Sequence, residues 1–237
     1  MANSYFQFKQ FKVQQDNCAM KVCTDSCLFG AWLAELPEFK NALDIGGGTG
    51  LLSLMLAQQN TVHIETIEID AAAAAQAHEN IRQTPWADRI TVINADVRYF
   101  SSPVQYDLIF TNPPFYELDL ISKNSGEQAA KHSTHLSLDE LLLFVEKQLS
   151  TDGIFAILLP YKRKTEFEQK AAGYGLFPFK RAFLQQTPTH PFFRYMALFR
   201  RNKIDSEIIE EKISIKDSNN QYAPIVQKYL KPYYLHL

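Results

Sequence analysis

From residue 42 onward, short apolar runs of strand length alternate with segments of helical period, and this alternation restricts the fold more than any other feature. Residues 42–45, 63–70, 90–96 and 106–111 read as strands. Residues 51–59, with Leu52, Met55 and Leu56 as an apolar stripe, and 71–83, an alanine-rich run, read as helices between them. Further on, 137–149 reads as a helix with Ser137 and Glu140 as a capping box. Residues 153–159 read as a strand, 162–174 as a helix, and 180–185 and 195–200 as two last strands. Strands joined by helical crossovers form a mostly parallel α/β sheet with helices on both faces. Ligands of such sheets bind at the carboxyl ends of the strands. Asp44, Glu68, Asp96 and Asn112 all fall at such ends.

The chain of 237 residues suits one domain over 1–237. Residues 1–36 form an N-terminal cap segment: its aromatics Phe6, Phe8 and Phe11 argue against a disordered tail. Within it Thr24 is placed to cap a helix carrying Leu28, Ala31, Trp32 and Leu36, which Pro37 stops. A charged, Ile-rich stretch over 202–237 reads as a C-terminal extension. Cys18, Cys23 and Cys27 are odd in number and lack a second Cys/His pair, so free thiols are expected and no metal. There is no charged start followed by an apolar run, and no stretch long enough to span a membrane. A cytoplasmic protein, and in the simplest case a monomer, is expected.

After the first strand comes Asp44-Ile45-Gly46-Gly47-Gly48-Thr49-Gly50. The pattern Asp-x-Gly-x-Gly-x-Gly turns the backbone sharply and leaves room for a ligand against the main chain. It fits neither the dinucleotide G-x-G-x-x-G nor the phosphate loop, which needs Gly-Lys-Ser/Thr. An acid at the strand end favours a cationic ligand over a pyrophosphate. S-adenosylmethionine carries a sulfonium and an ammonium and suits Asp44. Glu68 ends the next strand near the spacing at which an acid takes ribose hydroxyls, and Asp96 is placed to accept from an adenine amine. Asp70, two residues on, is an alternative acid for the same role.

The fourth strand ends in Asn112-Pro113-Pro114-Phe115. The prolines lack N–H donors and restrict the backbone, which fixes Asn112. A conjugated exocyclic amine is a poor nucleophile because its lone pair is delocalised. Accepting its two N–H bonds at the Asn112 oxygen and the Pro113 carbonyl favours a pyramidal nitrogen whose lone pair meets a methyl carbon. Phe115 is suited to stacking on a planar acceptor. These residues point to methyl transfer from S-adenosylmethionine, leaving S-adenosylhomocysteine.

With those motifs the chain resembles the class I S-adenosylmethionine-dependent methyltransferases. It more closely resembles the bacterial tRNA1(Val) (adenine(37)-N6)-methyltransferase family. The most specific likeness lies in Phe8-Lys9-Gln10-Phe11, Cys18-Ala19-Met20-Lys21-Val22, Thr24-Asp25 and Gly30-Ala31-Trp32. The glycine loop, Glu68, Pro85-Trp86-Ala87, Arg89-Ile90 and Asn112-Pro113-Pro114-Phe115 continue it. Thr187-Pro188-Thr189-His190-Pro191-Phe192-Phe193-Arg194 departs from the pattern. The resemblance implies a Rossmann-like, seven-stranded sheet with the last strand antiparallel. It implies a methyl donor held by Asp44, Gly46, Gly48, Gly50, Glu68, Asp96 and Asn112 and covered by Thr24. It implies adenine beside the anticodon of a valine tRNA as acceptor.

Residues 161–203 hold ten basic side chains against Glu166 and Glu168, although the whole chain carries −2. Such asymmetry suits a phosphate-contacting face for an anticodon stem-loop, with Lys162, Arg163, Lys164 and Arg194 as substrate contacts. Tyr161, Phe192, Phe193 and Tyr195 are suited to stacking on bases. Asn-Pro-Pro-Phe also serves guanine-N2 methylation of ribosomal RNA and glutamine-N5 methylation of protein, because all three acceptors are planar amines or amides. A non-catalytic RNA-binding module on the same fold is a third reading, opposed by intact Asp44, Glu68 and Asn112.

Overall fold

The computed structural model describes residues 3–18, 20–113, 136–203 and 207–237. Pro114 and Phe115 lie outside the described residues, as does Ala19.

Ten strands are present among the described residues: β1 (Tyr5–Gln7), β2 (Lys12–Gln14), β3 (Asn41–Ile45), β4 (His63–Glu68), β5 (Ile90–Asn94), β6 (Tyr106–Thr111), β7 (Leu149–Pro160), β8 (Phe177–Gln185), β9 (Phe192–Arg200) and β10 (Ile209–Ser214). The helices are α1 (Thr24–Leu33), α2 (Leu51–Gln59), α3 (Ala71–Arg82), α4 (Leu138–Gln148), α5 (Lys164–Gly173) and α6 (Pro224–Leu230). The first two strands pair as a hairpin, and the rest form one sheet in the order β10-β8-β9-β7-β6-β3-β4-β5. Strands β3, β4, β5, β6 and β7 run parallel, and β9 runs antiparallel to both β7 and β8.

The seven expected strands are all in the sheet, and an eighth, β10, extends it parallel to β8. Periodicity gave no sign of β10 because it is an edge strand: only Ile213 is buried, and Glu210, Glu211 and Lys212 keep the edge polar. The antiparallel strand is β9, the one expected over 195–200.

Two apolar layers fill the faces of the sheet. One gathers α1, α2 and both termini around Trp32, Met55, Phe8 and Tyr233; the other gathers α4 and α5 around Phe155, Phe167 and Phe199. Helix α2 is buried from Leu51 to Ala57, wider than the stripe Leu52, Met55, Leu56. Its second side is covered by α1 and by the C-terminal segment, whose Tyr233 phenol donates to the Met55 carbonyl at 3.1 Å. Helix ends follow local chemistry. Asp70 ends the β4 turn as the cap of α3, accepting from Ala73 N–H at 2.8 Å. Ser137 and Glu140 form the expected capping box. Thr24 is the first helical residue of α1 rather than its cap; Cys23 holds the cap position.

The N-terminal hairpin is fastened to α3. Buried Asn80 accepts from Gln14 N–H and donates to the carbonyls of Gln14 and Thr49, each at 2.9 Å. One side chain thus joins the hairpin to the glycine loop.

Candidate active site

Parallel pairing of β3 with β6 aligns Ile45 with Thr111, and the Thr111 hydroxyl donates to the Ile45 carbonyl at 2.7 Å. The glycine loop leaving β3 and Asn112-Pro113 leaving β6 therefore emerge side by side at one sheet edge. The two motifs, far apart in sequence, are neighbours in space.

Gly46 and Gly48 adopt φ values of +74° and +54°, a left-handed backbone that suits glycine. A Cβ at either would meet nothing within 4 Å, so both face open space. Gly47 is different: a Cβ there would stand 1.9 Å from Thr66 Oγ1. It seats the loop on β4, so this extra glycine is a packing requirement. The N–H groups of Gly46 and Gly47 both donate to the Ile67 carbonyl, at 2.8 and 3.1 Å.

Asp44 is buried beneath this loop. Its Oδ2 accepts from the Ser53 hydroxyl at 2.7 Å, while Oδ1 has no partner among the described residues. Burial, with a smaller push from the Glu68 charge, raises its pKa to about 7. A buried, half-satisfied carboxylate is costly unless a donor or cation completes it. Glu68 reaches the same loop: Oε2 accepts from Gly48 N–H and Oε1 from Asp70 N–H, both at 2.9 Å. Asp96 is held by Arg98, whose Nε donates to both carboxylate oxygens at 3.0 and 2.9 Å. That contact keeps its pKa below the usual carboxylate range.

A cavity of about 370 Å³ opens beside Asn112 and Pro113. Lys162 and Arg194 line it, together with Leu158 and Leu159 from β7 and Asp25 and Ser26 from α1. The Asn112 amide donates to Ser26 Oγ at 3.0 Å, and Arg194 Nε donates to Asp25 Oδ2 at 2.6 Å. Thr24 sits apart from these contacts, near the Tyr234 phenol.

The structure thus brings Asp44, Gly46, Gly48 and Glu68 together, and Asn112, Pro113, Lys162 and Arg194 together. Gly50 caps α2 at φ +78°. Arg163 and Lys164 turn to α5, where they pair with Glu166 at 2.8 Å and Glu168 at 3.5 Å. The charge excess of 161–203 also shrinks in space. Strand β10 sets Glu211 2.8 Å from Lys180 and Glu210 against Arg181, which also meets Glu168 at 2.9 Å. Ser26 escaped sequence reading, although its spacing of three from Cys23 on a helix was available as a signal.

Residues 19–162 match the family described as the methyltransferase small domain. A Dyadobacter fermentans protein named tRNA1(Val) (adenine(37)-N6)-methyltransferase is 42% identical over 236 residues, covering 98% of each chain. A Bacteroides fragilis protein of the same name is 38% identical over the full length of both. Among solved structures, a predicted O-methyltransferase from Agrobacterium tumefaciens aligns with a TM-score of 0.64 at 15% identity, over 87% of this chain and 95% of its own. A glycopeptide N-methyltransferase solved with S-adenosylmethionine aligns with a TM-score of 0.56 at 10% identity, over 78% and 97%. These two share the fold.

Proposed function

The chain belongs to the tRNA1(Val) (adenine(37)-N6)-methyltransferase family, and from that premise we propose a full assignment of its site. The reaction is S-adenosylmethionine-dependent methylation of N6 of adenine 37 in the anticodon loop of tRNA1(Val). The cytoplasm is its place of action, and no helix among the described residues is long and apolar enough to cross a membrane. The observation that carries the reading is the alignment of Ile45 with Thr111, which sets the glycine loop beside Asn112-Pro113.

The cofactor half fits such a donor. Gly46 and Gly48 leave open space along their backbone, and the bare Oδ1 of Asp44 awaits a donor or a positive group. Gly46, Gly48 and Gly50 shape the loop, Glu68 accepts the ribose hydroxyls, and Asp96 faces the adenine amine. Thr24, on the first turn of α1, covers that half. The bound cofactor supplies an electrophilic methyl carbon.

On the acceptor side, Asn112 Oδ1 and the Pro113 carbonyl accept the two N–H bonds of the adenine amine. This localises its lone pair and stabilises positive charge developing on nitrogen. Pro114 and Phe115, which complete the motif, lie outside the described residues. A base in an anticodon loop reaches this cavity only by leaving its stack. Lys162 and Arg194, at the cavity wall, hold the backbone that follows it, with Arg163 and Lys164 as outer contacts. Positioning supplies most of the acceleration.

The test is transfer of labelled methyl groups to total RNA and total protein, followed by nucleoside analysis. N6-methyladenosine in tRNA is expected, lost in Asn112→Ala while donor binding is kept. Label in protein, or in N2-methylguanosine, would overturn the acceptor assignment.

A further inference from the structure

Which end of the Asn112 carboxamide faces the acceptor decides whether it can accept an N–H bond at all. Amide oxygen and nitrogen are similar in shape, so their orientation must come from the surrounding donors and acceptors. The neighbours form a chain. Asn112 Nδ2 lies 3.0 Å from Ser26 Oγ, and Ser26 Oγ lies 3.0 Å from Cys23 Sγ. The Cys23 thiol neighbours the Asp25 carboxylate, whose charge adds to burial in raising the thiol's pKa. Asp25 is in turn held by Arg194 at 2.6 Å. All five residues line the one cavity.

We infer that Cys23 and Ser26 are positioning residues: a one-way hydrogen-bond relay from Asp25 through Cys23 and Ser26 sets Asn112 with its oxygen toward the acceptor amine. An ionised carboxylate only accepts. Cys23 must therefore donate its S–H to Asp25, which leaves its sulfur lone pair for the Ser26 hydroxyl. Ser26 spends its single proton on Cys23, so it can only accept from Asn112. The Asn112 NH2 is drawn to Ser26, and Oδ1 is left for the substrate. Burial, reinforced by Asp25, pushes the Cys23 thiol up to about 11, so it keeps its proton at neutral pH. The Arg194 guanidinium, 2.6 Å from Asp25, holds that carboxylate at the head of the relay.

The inference rests on the proposed role of Asn112, and one set of variants separates the two. Purified Asn112→Ala, Ser26→Ala, Cys23→Ala, Cys23→Ser and the Ser26→Ala/Cys23→Ala double variant are assayed for kcat, for KM of tRNA and of S-adenosylmethionine, and for Tm. Ser26→Ala is expected to lower kcat about tenfold or more, through misorientation of the amide, with both KM values and Tm nearly unchanged. The double variant should be no slower than the worse single variant, because the relay is broken once. Cys23→Ser, whose hydroxyl relays in the same direction, should recover most of the rate that Cys23→Ala loses. A fully active Asn112→Ala would sink the reading of the site itself. A dead Asn112→Ala beside a Ser26→Ala of unchanged kcat would sink the relay alone. Multiplying losses in the double variant, or a Cys23→Ser as slow as Cys23→Ala, would also overturn it.

Discussion

Glu68 Oε2 accepts the Gly48 N–H at 2.9 Å, so the acid that ends β4 holds the loop that leaves β3. Removing the carboxylate loses this tether and the acceptor oxygens proposed for the ribose. Hydrogen bonds to a charged group contribute about 1.5–3 kcal/mol. Glu68→Ala should therefore weaken S-adenosylmethionine roughly 10–100-fold by calorimetry. Affinity for unmethylated tRNA should hardly change. A loss confined to tRNA would remove Glu68 from the cofactor half.

Asp44 makes both stability and donor binding depend on pH. Its folded pKa is about 7, above the ordinary carboxylate value of 3.8. Between those values the folded chain holds a proton that the unfolded chain has released. Stability therefore falls as pH rises from about 4 to about 7, and the penalty is fully present above that. Asp44→Asn should raise the ligand-free Tm at pH 8, by about 2–4 °C for each kcal/mol relieved, with the gain vanishing near pH 4. A cationic ligand pulls the carboxylate back toward its charged form. Wild-type donor affinity should then increase between pH 6 and 8 with proton release, seen by calorimetry in buffers of different ionisation enthalpy. In Asp44→Asn that component of the pH dependence should be lost.

The parallel strands and the side-by-side strand ends were legible because both are written locally. Each core strand is a short apolar run, and each ends in a polar residue that the sheet must deliver to the same edge. Asp44, Glu68 and Asn112 could be placed without knowing any long-range contact. What escaped needed partners distant in sequence. Strand β10 has one buried residue and exists through pairing with β8. Ser26 gains meaning only when Asn112 arrives from 86 residues away. The basic stretch looked unopposed because Glu210 and Glu211 enter from beyond it.

Gly47 separates packing from binding within the loop. Its added Cβ would stand 1.9 Å from buried Thr66 Oγ1, whereas one at Gly48 would stand in open space. Gly47→Ala should cost about 1–3 kcal/mol in denaturant unfolding, and Thr66→Ala should restore much of it. Gly48→Ala carries left-handed backbone strain of about 1–2 kcal/mol and projects a methyl into the proposed cofactor space. Donor affinity should fall more than stability there. Equal stability losses, unaffected by Thr66→Ala, would contradict this division.

The basic residues themselves can be ranked. Lys162 and Arg194 line the cavity, whereas Arg163 and Lys164 have Glu166 and Glu168 as carboxylate neighbours. A phosphate must compete with those carboxylates for Arg163 and Lys164. Lys162 instead stands at the cavity wall, where the acceptor base is proposed to enter. Arg194 is bound to Asp25, so its removal has a second consequence: a buried acid loses its counter-charge. Lys162→Ala should raise KM for tRNA several-fold, leave Tm unchanged, and reduce the salt slope of binding by about one contact. Arg194→Ala should weaken tRNA binding and lower Tm as well. Charge reversal at Arg163 and Lys164 should weaken tRNA more than the methyl donor, but each by less than Lys162→Ala. If Arg163 and Lys164 instead dominate the salt dependence, the RNA runs over α5, and the cavity wall takes the base without its backbone.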